Sequence, residues 1–262
     1  ARISHTLNLA TANEQGELPM LMKSTNLQEY YTREQISSQF DTDTWQRKVY
    51  SELDMALSSE NRPFPCLFGV AGHKADQIRY AFAQQITPES IAAALSAYLP
   101  KSRGFGPNTS LVLFEAPSAL QTMDAYFQRF WELLRDVTKV DATPWPENVP
   151  EETNAPMWEF CFAGEPVFVV CTTPAHIMRQ SRRSTGFMLT FQPRWVFDRL
   201  LGTEKAAEKS FSAVRSRLKN YDFIAQSPAL GKYGAEGIRE AEQYFLTDGN
   251  TPMACPFHKL KD

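Results

Sequence analysis

Two apolar runs stand almost back to back in this chain. Residues 157–162 read Met157-Trp158-Glu159-Phe160-Cys161-Phe162, residues 166–171 read Pro166-Val167-Phe168-Val169-Val170-Cys171, and only Ala163-Gly164-Glu165 separates them. Aromatic and β-branched residues suit a pleated surface. A connector this short cannot carry the chain around to a parallel neighbour, so the two runs are expected to form an antiparallel hairpin. Ser110-Leu111-Val112-Leu113-Phe114-Glu115 and Gly186-Phe187-Met188-Leu189-Thr190-Phe191 are two further strand signals. Helical periodicity lies around them without regular strand–helix alternation. The expected fold class is α+β, a mostly antiparallel sheet covered by helices.

Several helices announce their ends. Trp45, Val49, Leu53 and Ala56-Leu57 recur at helical spacing until Arg62-Pro63-Phe64-Pro65 breaks the pattern. Thr87-Pro88-Glu89-Ser90 offers a cap, a first-position proline and Ser90 at the third position. Pro117 is expected to open a helix to about residue 136, and helices are expected over 194–201 and 205–218. Residues 66–70 read as a short strand and residues 74–84 as a helix. Residues 1–44 are polar and irregular and read as an N-terminal extension or arm. Residues 45–262 read as one main domain.

With 262 residues, 43% of them hydrophobic, the chain can bury one substantial core. A formal net charge of -3 gives no general attraction to nucleic acid or to an anionic membrane. There is no run of 18 apolar residues, so no spanning helix is expected. None of the four cysteines forms a Cys-x-x-Cys pair and the first residues lack a secretory apolar run, so the expected location is cytoplasmic with reduced thiols. The chain has neither Gly-x-Gly-x-x-Gly nor a phosphate-binding Gly-Lys loop, so any redox electrons must come from outside it.

The stretch after the hairpin is where chemistry concentrates. Thr173 can cap a helix and Pro174 can begin it, and in such a helix His176, Arg179 and Arg183 share one face. An imidazole beside guanidinium groups suits an iron porphyrin, the nitrogen on the metal and the arginines, Arg182 included, on propionates. The plainer alternative is a packed histidine with solvated arginines. His258, in Cys255-Pro256-Phe257-His258, and Cys66 are alternative metal ligands. Glu159 and Glu115 lie inside apolar strands, where a carboxylate needs a partner. That partner is either a cationic substrate or a structural arginine such as Arg194.

Taken together, Arg62-Pro63-Phe64-Pro65-Cys66, Trp158-Glu159-Phe160-Cys161-Phe162 with Gly164-Glu165-Pro166, Thr173-Pro174-Ala175-His176-x-x-Arg179-x-Ser181-Arg182, Pro193-Arg194-Trp195-Val196, Tyr221-Asp222, Gln243-Tyr244-Phe245-Leu246 and the Cys255–His258 tail resemble the YqcI/YcgG family. The resemblance runs from about residue 45 to the C-terminus. It implies a haem-dependent N-oxygenase, a monooxygenase of specialised metabolism that hydroxylates a guanidine or amine nitrogen of a small cationic metabolite such as arginine or a derivative. It also implies b-type haem, dioxygen or peroxide, and an external electron donor. Under it His176 becomes the leading axial ligand, Arg179 and Arg183 the propionate partners, and Glu159 or Glu115 the substrate carboxylate. The alternative function is a non-catalytic haem-binding or redox sensor protein. No nucleic-acid or membrane partner is expected, and a homodimer is admitted.

Overall fold

The computed structural model describes residues 29–261. In chain order its elements are α1 (Arg33–Gln39), α2 (Trp45–Ser58), α3 (Leu67–Lys74), β1 (Ile78–Ala83), α4 (Pro88–Tyr98), α5 (Ser102–Phe105), β2 (Ser110–Glu115), α6 (Met123–Val140), β3 (Cys161–Phe162), β4 (Glu165–Thr172), β5 (Met188–Pro193), α7 (Arg194–Leu200), α8 (Glu204–Tyr221) and α9 (Glu240–Tyr244). The five strands form one sheet in the order β1-β2-β5-β4-β3. Only β1 and β2 run parallel, joined through α4, and every other pairing is antiparallel. The fold is α+β, as expected.

The sheet is covered on both faces at β1 and β2, and the strand register shows how. Leu111 and Leu113 join Val169, Cys171, Leu189 and Phe191 in a core closed by α4, α6 and α9. The alternate residues Val112 and Phe114 join Tyr80 and Phe82 in a second core under α1 and α2. All six residues of β2 are therefore buried. Each fully buried large apolar side chain contributes about 1.5–3 kcal/mol of transfer free energy. Within the segment read as an arm, residues 29–44 carry α1, Tyr31 pairs with Tyr80 across the backbone, and Ile36 is fully buried. His5 and the rest of residues 1–28 lie outside the described residues.

The hairpin forms, with Phe162 opposite Glu165 and Ala163-Gly164 as its two-residue turn. Both turn residues have positive φ, 51° and 76°, which matches the strand twist and explains a glycine at the second position. Strand β3 covers only Cys161–Phe162 of the 157–162 run: the Phe160 carbonyl still accepts the Val167 N–H at 2.8 Å, but the Phe160 N–H donates to the Tyr244 hydroxyl, Trp158 is packed in the core and Glu159 is ion-paired. The helix at Thr87 forms with its capping box.

Three local expectations are corrected. Residues 66–70 are not a strand, because Cys66 caps α3 and its sulfur accepts the Gly69 N–H at 3.3 Å. Residues 78–83 are strand β1, not helix: Ile78, Tyr80 and Phe82 alternate with period two and are buried together. The long helix after Pro117 starts later, at Met123, where Thr122 accepts the Ala125 N–H.

Candidate functional site

One end of the sheet opens into a cavity of about 240 Å³. Strands β2 and β4 point the same way and β5 runs against them, so Phe114–Glu115, Thr172 and Met188 meet there. Helix α2 supplies one wall through Val49, Glu52, Leu53 and Ala56. Gln180, Ser181 and Arg183 also line it, and Phe64 and Tyr221 add to the apolar lining. The Arg62 guanidinium carbon stacks 4.2 Å from the centre of the Tyr221 ring. The junction is tight: a Cβ on Gly186 would lie 2.7 Å from the Glu115 carbonyl oxygen, so only glycine fits without a backbone shift.

The expected helix through His176 does not form. After Thr173 the chain makes turns and a single 3₁₀ turn at Gln180–Arg182. Thr173 spends its hydroxyl on a turn, accepting the Ala175 N–H at 3.2 Å. His176, Arg179 and Arg183 therefore do not share a helix face. His176 is fully buried, with Nε2 2.7 Å from the Leu246 carbonyl and Nδ1 2.9 Å from Thr173 Oγ1. A carbonyl only accepts, so the network assigns the proton to Nε2 and leaves Nδ1 accepting from the hydroxyl. Burial pushes the imidazole down to about 4 and keeps it neutral.

The arginines follow the same pattern. Arg179 is fully buried, donating from Nε to Thr247 O at 2.9 Å and from Nη2 to Asn250 Oδ1 at 2.8 Å. Asp248 accepts the backbone N–H groups of Ile177, Met178 and Arg179. Arg182 is buried with Gln243 O at 3.2 Å, and burial followed by the Arg179 charge lowers it to about 10. Arg183 is exposed, donates to the His176 carbonyl at 2.8 Å, and lines the cavity. Residues 173–183 and 243–250 thus clasp each other by buried polar contacts.

The two strand carboxylates are already satisfied. Glu115 accepts from Arg129 through both oxygens and from the Ile86 N–H at 2.7 Å. Glu159 accepts Arg194 Nε through both oxygens, at 2.7 and 2.9 Å, and Glu240 shares that guanidinium. The structural-arginine alternative describes Glu159 as folded. His258 is exposed, its carbonyl accepting the Thr153 N–H, and Cys66 is exposed at the start of α3.

These residues do not fit a haem in this arrangement. An axial imidazole needs an unprotonated nitrogen facing open space. Neither nitrogen of His176 is free, and the propionate partners expected beside it are separated, with Arg179 buried among carbonyls. The cavity is smaller than the roughly 300–1,000 Å³ of ordinary small-molecule pockets, which leaves room for a metabolite and not for a macrocycle as well. Among the described residues no helix is long and apolar enough to cross a membrane.

Sequence reasoning missed Glu52. Its signal was present: Val49, Glu52, Leu53 and Ala56 lie at helical i, i+3, i+4 and i+7, so a carboxylate interrupts the apolar face of α2. Asp222, which binds Ser181, stands in the sequence only as part of the Tyr221-Asp222 motif, and Asp248, which binds the N–H groups of residues 177–179, had no comparable signal.

The comparisons agree with the motifs. The YcgG protein of Bacillus subtilis (strain 168) is 40% identical over 227 residues, 83% of this chain and 90% of its own length. The YqcI protein of the same strain is 38% identical over 227 residues, 83% of this chain and 89% of its own length. A Streptomyces lavendulae protein bearing the name "Putative N(omega)-hydroxy-L-arginine synthase DcsA" is 30% identical over 241 residues, 87% of this chain and 89% of its own length. No solved structure matches. The model of the YqcI/YcgG family covers residues 53–258, and the chain belongs to that family.

Proposed function

We propose that this protein is an enzyme that N-hydroxylates a guanidine or amine nitrogen of a small cationic metabolite. The observation that carries this reading is the similarity over 87% of the chain to a relative whose name describes N-hydroxylation of arginine. The open cavity at the end of the sheet, with a carboxylate in its lining, is the place for such a substrate.

The overall reaction replaces an N–H by an N–OH. With dioxygen, one oxygen atom enters the nitrogen substituent and the other leaves as water, using two electrons and two protons from an external donor. With peroxide, no separate electrons are required. The chain supplies no Gly-rich nucleotide site, which is consistent with an external donor. The b-type haem in this proposal rests on the family resemblance, and with His176 occupied its remaining candidate ligands are the exposed His258 and Cys66.

The test is product analysis after incubation with arginine and related amines, a supplied reductant and oxygen, using protein expressed with haem precursor. Gain of one oxygen atom on nitrogen is the expected result, and a Soret absorption band reads out the haem component separately. A haem-loaded protein that consumes no substrate across the amine panel overturns the enzymatic reading in favour of a sensor. A protein that forms the N–OH product without any Soret band overturns the haem component alone.

A further inference from the structure

The core under α1 and α2 holds a tyrosine whose hydroxyl faces a base. Tyr80 on β1 and His73 on α3 are both buried, and the Tyr80 hydroxyl lies 3.2 Å from His73 Nδ1. The other ring nitrogen, Nε2, is 2.8 Å from Asp54 Oδ1 and 3.3 Å from Ser58 Oγ, both on α2. A carboxylate only accepts, so Nε2 carries the proton and Nδ1 accepts from the Tyr80 hydroxyl. Burial, then the Arg33 charge, lowers the His73 pKa, so the imidazole is neutral and Nδ1 is a base within reach of the phenol. Other buried tyrosines have no such partner. Tyr98 meets the Thr109 hydroxyl, Tyr244 donates to the Val167 carbonyl, and the Tyr50 hydroxyl has no hydrogen bond among the described residues.

Burial raises the Tyr80 phenol far above its ordinary value, so it does not ionise on its own. Such a phenol gives up an electron readily only where a base takes its proton as the electron leaves. The Tyr80 ring also stacks on Phe114, centroids 6.4 Å apart and planes at 21°, and Phe114 lines the cavity at the end of the sheet. Tyr80 therefore stands one aromatic ring from that cavity. We infer that Tyr80, with His73 as its proton acceptor and Asp54 behind it, is a one-electron redox site that draws off oxidising equivalents left unspent in the cavity. The presence of an oxidant there rests on the proposed reaction, whereas the redox property of the three residues does not. In the step the Tyr80 O–H bond breaks, an N–H bond forms at His73 Nδ1, and one electron passes through Phe114 to the oxidant. The products are a neutral phenoxyl radical and an imidazolium paired with Asp54. The oxidant is activated peroxide or dioxygen, and two such electrons with two solvent protons reduce one peroxide to two waters. The external donor returns the electron and His73 returns the proton.

The redox property is tested on the full chain without haem, by photo-oxidation with a ruthenium tris-bipyridine sensitiser and persulfate, followed by freeze-quench electron paramagnetic resonance. A tyrosyl signal that narrows with ring-deuterated tyrosine is expected, and Tyr80→Phe, which keeps the ring, should lose most of it. The charges facing His73 are Arg33 from α1, Asp54 from α2 and Asp76 from the turn before β1, while Tyr50 packs edge-on to Tyr80. The yield should be full at pH 7 and fall below the ordinary histidine value of 6.5, as protonation of Nδ1 removes the base. Asp54→Asn keeps an oxygen for the Nε2 proton but removes a charge that raises His73, so it should move this fall to lower pH. An undiminished tyrosyl signal in Tyr80→Phe, or a wild-type yield that ignores pH, overturns the inference. The draw on the cavity is read separately, in protein expressed with haem precursor and treated with peroxide without substrate. Met188 lines the cavity, and its sulfoxide, measured by peptide mass spectrometry, should build up faster in Tyr80→Phe than in the wild type. Equal rates overturn the draw on the cavity and leave a redox-active Tyr80. A redox-active Tyr80 in a protein that forms no N–OH product removes the reaction and leaves the redox site standing.

Discussion

His176 Nε2 donates to the Leu246 carbonyl at 2.7 Å, and this contact spans 70 residues of chain. It joins the turn that follows β4 to the segment that follows α9, and Asp248 binds the same turn from the same segment through three backbone N–H groups. The imidazole is held neutral with its pKa pushed down to about 4, so it acts as a fixed donor and acceptor.

The first prediction concerns stability rather than cofactor. His176→Ala should destabilise the haem-free protein by about 1–3 kcal/mol, since the Leu246 carbonyl loses its partner in a buried site. The pH dependence has a definite sign. An unfolded histidine titrates near 6.5 and the folded one near 4, so between those values the unfolded chain binds more protons. This contribution to stability is complete above about pH 6.5 and falls as pH drops toward 4. The total loss is on the order of 3 kcal/mol. Urea denaturation of the wild type and of His176→Ala at several pH values reads it. An unchanged midpoint and slope in the variant overturn the structural role.

Much of the fold was legible in the sequence, and the losses have physical causes. The hairpin, β2, α4 and its cap rest on local signals that tertiary contacts reinforce. Residues 78–83 were misread because Tyr80, Ala81 and Phe82 suit either period, and the parallel partner β2 decides for strand. The helix through His176 failed although Thr173 and Pro174 are good starting residues, because Asp248, remote in sequence, takes the N–H groups that a helix would have begun with. Glu159 and Glu115 stand out in the sequence as carboxylates in need of partners, either a substrate or an arginine. Which partner each one found depends on α6 and α7, and no spacing in the strands carries that information.

The second prediction concerns the shared guanidinium. Arg194 holds Glu159 and Glu240 together in a nearly dry site, with the Tyr233 ring 4.1 Å from its guanidinium carbon. Two carboxylates on one cation leave a surplus negative charge, and burial with mutual repulsion raises Glu240 to about 7. Here the folded pKa lies above the unfolded value near 4.5, so this contribution is present below about pH 4.5 and is lost as pH rises to 7. It opposes the His176 trend. Glu240→Gln removes it and should make the rise of stability between pH 4.5 and 7 steeper, while Glu159 still pairs Arg194. Arg194→Ala instead strands two buried carboxylates and should cost about 3–5 kcal/mol. Denaturation midpoints for both variants across that range are the measurement, and a neutral Arg194→Ala would contradict the arrangement.

The third prediction tests how the cavity is built. Gly186 precedes β5 where the chain passes closest to the end of β2, and Glu115 N–H donates to the Phe187 carbonyl at 3.0 Å in the same place. Gly186→Ala puts a methyl carbon 2.7 Å from the Glu115 carbonyl oxygen, and that oxygen belongs to backbone, not to a flexible side chain. The strand ends must separate to relieve it. Overpacking of this kind costs about 1–3 kcal/mol. The displacement also acts on the Glu115 carboxylate, whose pairing with Arg129 and Ile86 fixes the floor of the cavity. A lowered thermal midpoint is therefore expected. Full stability in Gly186→Ala would mean that the strand ends are not packed as closely as the 2.7 Å approach requires.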